Sequence, residues 1–118
     1  MPTVLVVDDA AFMRMRCKKL LTQSGYDVIE AANGSQAVEM YQSEKPDLVL
    51  LDITMPDMDG LTALREIRKI DPDARVAMVT AMGQQSMVVE ALKAGAKDFV
   101  IKPFDQDRVL AAIKKLMA

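Results

Sequence analysis

The chain switches five times between a short apolar run and a stretch whose apolar residues recur at helical spacing. TVLVV (3–7) is continuous and β-branched, the mark of a strand covered on both faces. Met13, Cys17, Leu20 and Leu21 follow at intervals of three and four, and Gly25 ends that helix. DVIEA (27–31) is less apolar and belongs nearer a sheet edge. NGS (33–35) opens a helix that uses Ala37, Val38 and Tyr41. DLVLL (47–51) is the most apolar strand and is expected at the centre. MPDMDG reads as a loop, and Leu61, Leu64, Ile67 and Arg68 mark the helix after it. RVAMVT (75–80) is a fourth strand, a helix runs from about Gln84 to a C-cap at Gly95, and DFVI (98–101) is a fifth strand. Lys102-Pro103 breaks that strand, and Val109, Leu110, Ile113 and Leu116 face the core from the last helix. Strand–helix units joined by short connections specify an α/β fold, doubly wound: a five-stranded parallel sheet with helices on both faces and right-handed crossovers.

The 118 residues carry no linker, repeat or low-complexity segment, so one domain covering 1–118 is expected. The net charge of −2 gives no strong steering toward nucleic acid or membrane, and neither is expected as a partner. The single cysteine, Cys17, excludes an internal disulfide and fits a reducing compartment. MPTVLVVDD has no basic segment and too short an apolar run for a secretory signal, and no run is long enough to span a bilayer. The expected location is the cytoplasm.

Ligands of open parallel sheets bind outside the carboxyl ends of the strands, so the residue that closes each strand carries the functional information. The first strand closes in Asp8-Asp9, the third in Asp52 followed by Ile53 and Thr54, the fourth in Thr80 and the fifth in Lys102. Three carboxylates and one ammonium leave an excess of two negative charges, and like charges held together repel. A divalent cation cancels that excess. Hard oxygen donors, too few for a complete protein cage, favour Mg²⁺, which keeps waters and partners phosphate. Thr80 and Lys102 then remain to hold phosphoryl oxygens, and a carboxylate can itself be the nucleophile that forms an aspartyl phosphate. Asp52, between the acid pair and the Thr/Lys pair, is the best placed. Singly, these residues have ordinary explanations. Asp9 could be a helix N-cap, Thr80 a strand residue and Lys102 a solvated charge. Capping explains Asp52 poorly, because irregular loop follows it.

VLVVDDA, LLDITMPDMDG, VTAMG and FVIKPF, in this order and at these spacings, resemble the four signature blocks of a response-regulator receiver domain, and the likeness runs from end to end. Within that family the chain is similar to the stand-alone chemotaxis regulators. The resemblance implies the flavodoxin-like strand order 2-1-3-4-5. It implies Asp52 as phosphoacceptor, with Asp9, Asp52 and the Thr54 backbone carbonyl binding Mg²⁺ directly and Asp8 through a water. It implies Thr80 and Lys102 on the phosphoryl oxygens and a cis bond at Lys102-Pro103. The implied donor is a phosphohistidine on a sensor histidine kinase, and this chain, which has no histidine, can receive from one but not supply one.

The protein is then a signalling switch rather than an enzyme in the usual sense, assisting its own phosphotransfer and autodephosphorylation. The expected output partner is the flagellar motor switch protein or another output protein, with a phosphatase as an accessory partner. The resemblance further implies that Thr80 moves toward the phosphoryl group and that an aromatic residue on the fifth strand, here Phe99, turns inward with it. Val88 and Val89 are about 100° apart on their helix, so one of them should be under-buried, and Val88 is assigned to the output face. Thr54 and Met82, each two places beyond a site residue, flank the approach of a hydrolytic water. Neither carries a charge or an amide to orient that water, so self-dephosphorylation is expected to be slow to moderate.

Three alternatives stand beside this reading. A Mg-dependent phosphohydrolase of the haloacid-dehalogenase type also uses a strand-end aspartate, but it needs a second Asp where Thr54 stands. A nucleotide- or flavin-binding module lacks support, because neither G-x-G-x-x-G nor a P-loop is present and the first turn, DDAAF, is acidic. A receiver fragment of a larger DNA-binding regulator would carry the same blocks.

Overall fold

The computed structural model describes residues 2–55 and 58–118. Pro56 and Asp57 of the MPDMDG loop lie outside the described residues. The elements alternate throughout: β1 (Thr3–Val7), α1 (Ala11–Gln23), β2 (Asp27–Ala31), α2 (Gly34–Glu44), β3 (Leu48–Asp52), α3 (Gly60–Ile70), β4 (Val76–Ala81), α4 (Gln85–Lys93), β5 (Asp98–Lys102) and α5 (Gln106–Met117). The strands form one parallel sheet in the order β2-β1-β3-β4-β5, as the resemblance implies. The most apolar strand, β3, is central and fully buried, and the less apolar β2 lies at an edge.

Alternation along each strand divides the core in two. Leu5 and Val7, Val49 and Leu51, and Val76 and Met78 face the layer of α2, α3 and α4, where Ala37, Leu64, Ile67 and Ala91 cover them. Val4 and Val6, Leu48 and Leu50, and Ala77 and Val79 face α1 and α5, under Cys17, Leu21, Val109, Ile113 and Leu116. Strands apolar at every position follow directly from a sheet covered on both faces.

Three helices begin at side-chain caps supplied by short polar residues. Asn33 accepts from the Gln36 N–H, Asp59 from the Thr62 N–H and Asp105 from the Arg108 N–H. The N-cap of α1 is Ala10, without a side-chain bond, so Asp9 does not serve as a cap. Strand ends differ from the sequence reading by one residue at β3, β4 and β5. Asp47 stays outside β3 because its carboxylate accepts the Thr3 N–H at 2.8 Å. Among the described residues no helix is long and apolar enough to cross a membrane.

Cys17 is 5 % exposed, and burial, with the Asp8 charge adding to it, pushes its thiol from 9.0 up to about 11. Thiolate is the reactive form. At pH 8 a thiol reagent should therefore label the folded chain at least ~100-fold more slowly than the urea-unfolded chain, a factor of ten for each step in pKa. Because the folded value lies above the unfolded one, this thiol favours folding below pH 9 and loses that contribution as pH rises toward 11.

Candidate functional site

Parity along the strands decides which side chains meet at the carboxyl edge. Asp8 continues the Val4–Val6 face beyond β1, Asp52 the Leu48–Leu50 face and Lys102 the Val100 face, all on the α1/α5 side. Thr80 continues the Val76–Met78 face on the other side, the same face as Phe99. The order β1-β3-β4-β5 puts β3 between β1 and β4 and leaves Lys102 on the outer strand. The lysine stem reaches back across β4. Its Nζ donates to Asp8 Oδ2 at 2.9 Å and to Asp52 Oδ2 at 3.2 Å.

Asp8 and Asp52 are 5 % and 6 % exposed, so both carboxylates sit largely out of water. Burial raises the Asp52 pKa above its ordinary range and the Asp8 charge adds to this, against the Lys102 charge and a Thr54 backbone N–H bond. Burial works against the Lys102 ammonium, yet the Asp8 hydrogen bond and the two carboxylate charges hold its pKa above the ordinary value. Asp8 is fixed further: its Oδ1 accepts the Ala10 N–H at 2.9 Å, and Arg14 donates to its backbone oxygen at 2.7 Å while pairing with Glu30 at 3.3 Å. Asp9 is exposed beside them, and one carboxylate oxygen from each of Asp8, Asp9 and Asp52 lies within 4.8 Å of the others. Three hard anionic donors at this spacing suit a small divalent cation. They line a cleft of about 310 Å³ together with Thr54, Gln84 and Lys102.

Thr80 is 2 % exposed and hydrogen-bonded at the cleft's edge. A neighbouring apolar groove is lined by Met82, Val88, Val89, Leu92, Phe99 and Ile101. The structure therefore brings Asp8, Asp9, Asp52, Thr54 and Lys102 together, with Thr80 adjoining, and places Phe99 and Met82 in the neighbouring groove rather than in the cleft. Met82 is 80 % exposed. The assignment of Val88 to the output surface is corrected. Val88 is 8 % exposed and packs in the core, whereas Val89 is 49 % exposed, because α4 lays the Val88 and Ala91 stripe against the sheet. The Lys102-Pro103 bond is cis, as the resemblance implies.

Sequence reasoning missed two features. Gln84 bonds to Thr80, Ala81 and Thr54 in the cleft wall. It stands beyond the strand end, at the start of a helix, so a search confined to the residues that close strands passes over it. Arg108 pairs with Asp98 at 3.3 Å and donates to the Phe99 backbone oxygen, tying α5 to β5. A basic residue on a helix face otherwise reads as solvated.

Residues 4–114 match the family model described as the response regulator receiver domain. The chain belongs to that family. The chemotaxis protein CheY of Bacillus subtilis (strain 168) is 61 % identical to this receiver domain over 115 residues, which cover 97 % of this chain and 96 % of its own. CheY of Thermotoga maritima is 58 % identical over 114 residues, with 96 % and 95 % covered. A receiver domain protein from Clostridium thermocellum superposes with a TM-score of 0.95 at 28 % identity, covering 99 % of this chain and 94 % of that one. CheY in the CheX–CheY–BeF3–Mg²⁺ complex from Borrelia burgdorferi superposes with a TM-score of 0.93 at 39 % identity, covering 98 % and 89 %. This receiver domain is thus CheY-like, part of a two-component response regulator that works by phosphorylation-dependent switching, and a signalling protein rather than an enzyme of the usual kind. The phosphohydrolase and nucleotide-binding alternatives fall with this match.

Proposed function

We propose that the chain is one receiver domain spanning 1–118 that accepts a phosphoryl group on Asp52 from a histidine kinase. The observation that supports this best is the Lys102 ammonium bridging the buried carboxylates of Asp8 and Asp52 in an open acidic cleft. An Asp52 oxygen forms the new P–O bond while the P–N bond of the donor phosphohistidine breaks, its electron pair leaving with the imidazole. Lys102 neutralises charge on the transferring group, and Thr80 receives one of its oxygens. Asp8, Asp9, Asp52 and the Thr54 backbone carbonyl would hold Mg²⁺, and the donor set fits a hard cation. When bound, the metal offsets carboxylate repulsion and charge on the phosphoryl oxygens. Thr80 and Phe99, on one face of the sheet, carry the change to the groove beside α4. The output is chemotactic, through the flagellar motor switch protein, in the cytoplasm. The phosphoryl group is lost by slow to moderate self-hydrolysis near Thr54 and Met82, with a phosphatase as supplement.

Incubation with a small-molecule phosphodonor and Mg²⁺ tests the assignment. Intact mass should rise by one phosphoryl group, peptide mapping should place it on Asp52, and chelation should prevent it. No adduct, or an adduct elsewhere, would refute the assignment.

A second prediction follows from the repulsion among the acids. Lys102 pairs with Asp8 and Asp52, and no ion pair is seen for Asp9 among the described residues. Asp9→Asn should stabilise the metal-free protein by a fraction of a kcal/mol, the scale of an exposed charge pair, while weakening Mg²⁺ binding. Thermal melts should show the wild type gaining more from millimolar Mg²⁺ than the variant gains. A wild type indifferent to Mg²⁺ would remove the metal role.

A further inference from the structure

We infer that Gln84 is a latch on the phosphoryl site. In the unphosphorylated chain its amide oxygen engages the Thr80 hydroxyl and the Ala81 backbone N–H, the two donors that an oxygen of a phosphoryl group on Asp52 would take. Phosphorylation must therefore displace Gln84. The inference rests on the reading of Asp52 as phosphoacceptor and adds a residue that opposes it.

Thr80 Oγ1 lies 2.8 Å and the Ala81 nitrogen 2.9 Å from Gln84 Oε1. The orientation of the amide follows from its neighbours. A backbone N–H can only donate, so the Gln84 atom that faces Ala81 is the carbonyl oxygen. The amide NH₂ is left to donate to Thr54 Oγ1, across the cleft mouth on the β3–α3 loop. One side chain thus ties the end of β4 to the loop that follows Asp52.

A hydroxyl and a backbone N–H converging on one oxygen make the kind of donor pair that stabilises oxyanions. In the resting chain a neutral amide oxygen fills it. A phosphoryl oxygen carries charge and makes hydrogen bonds about twice as strong as neutral ones. The exchange therefore favours Gln84 in the absence of the phosphoryl group and the phosphoryl oxygen in its presence. Thr80 also has the Ala81 carbonyl within 3.1 Å, so its hydroxyl keeps an acceptor while it changes partners.

The sequence T-A-M-G-Q builds this device locally. Gly83 adopts φ +90, a conformation that L side chains rarely take, and turns the chain back just after β4. Gln84 then stands at the N-cap of α4 but makes no side-chain bond to the helix. Ser, Asp or Asn would cap it; the longer glutamine reaches back to the strand instead. Gln84 and Ala81 line both the acidic cleft and the apolar groove that holds Phe99. Displacing the amide changes a wall shared by the two, which couples charge at Asp52 to the shape of the groove.

Beryllofluoride, a mimic of a bound phosphoryl group, tests the latch when titrated with saturating Mg²⁺. Gln84→Ala frees both donors and should bind it roughly three- to tenfold more tightly than the wild type, the factor set by one or two ordinary hydrogen bonds. Gln84→Glu keeps the acceptor and adds a negative charge at the cleft, so it should bind more weakly than the wild type. A role confined to starting α4 gives neither variant a change in beryllofluoride affinity, because the Gln84 side chain makes no bond to that helix. In a Thr80→Ala background the gain from Gln84→Ala should shrink. In the wild type, the side-chain amide resonances of Gln84 should shift on adding beryllofluoride. Unchanged resonances, or a Gln84→Ala variant that binds no more tightly than the wild type, would overturn the latch. A wild type that takes up no phosphoryl group at Asp52 would instead overturn the phosphoacceptor reading beneath it.

Discussion

Asp52→Asn should reduce phosphoryl uptake from a small-molecule donor to background, against one group per chain in the wild type. An amide has no ionised oxygen to attack phosphorus, and the loss removes a donor from the acidic cluster as well. The substitution should leave the fold intact, because Lys102 keeps its 2.9 Å pair with Asp8 and the amide fills the same volume. It should also stabilise the unphosphorylated protein. Burial raises the Asp52 pKa, so its ionised form is disfavoured in the folded state. That favourable contribution of the raised value is present below the unfolded pKa and lost as pH rises through the folded one. At neutral pH the carboxylate therefore costs stability that asparagine restores, an exchange of stability for function common at active sites. Intact mass and a thermal melt at pH 7 check the two halves separately. Robust labelling of the variant at Asp8 or Asp9 would show that position within the cluster, rather than Asp52 itself, decides which carboxylate reacts.

The sequence carried the fold because its signals agree at several levels. Continuous apolar strands such as TVLVV required two covering layers, and the two faces of Leu48–Leu51 do divide between α1/α5 and α2/α3/α4. The cluster of Asp8, Asp9, Asp52 and Lys102 was legible for a related reason. Strands fixed in a parallel sheet deliver their final residues to one edge, so position along the chain maps onto position in the site. The Val88 assignment failed because about 100° of rotation separates two neighbours without saying which faces inward. The helix's phase against the sheet decides that, and it turned on the stripe shared with Ala91. Gln84 was out of reach for another reason. Its role depends on one side chain folding back over the Gly83 turn, a three-dimensional fact with no periodic signature.

Gly60→Ala should be the most disruptive single-methyl change at the site's foundation. By propensity alone alanine would favour the first residue of α3 by up to ~1 kcal/mol over glycine. Packing reverses the sign. A Cβ at Gly60 would lie 2.0 Å from the Asp52 carbonyl oxygen and 2.7 Å from the Ile53 Cα, both backbone atoms that no rotamer change can move aside. The start of α3 is held against the end of β3 by the Gly60 N–H, which donates to the Ile53 oxygen at 2.7 Å, and it is capped by Asp59 at 2.8 Å from the Thr62 nitrogen. Relief of the clash must therefore shift the helix or the strand end, and the strand end carries Asp52. Overpacking of this kind costs roughly 1–3 kcal/mol and more where backbone must move. At about 4 °C per kcal/mol, a fall in melting temperature of about 10 °C is expected. Phosphoryl uptake should slow in the same variant even well below its melting point, because the nucleophile is displaced relative to Lys102 and Thr80. A melt indistinguishable from wild type would show that β3 and α3 can separate without strain, and an unchanged uptake rate would show that Asp52 is positioned by β1 and β4 alone.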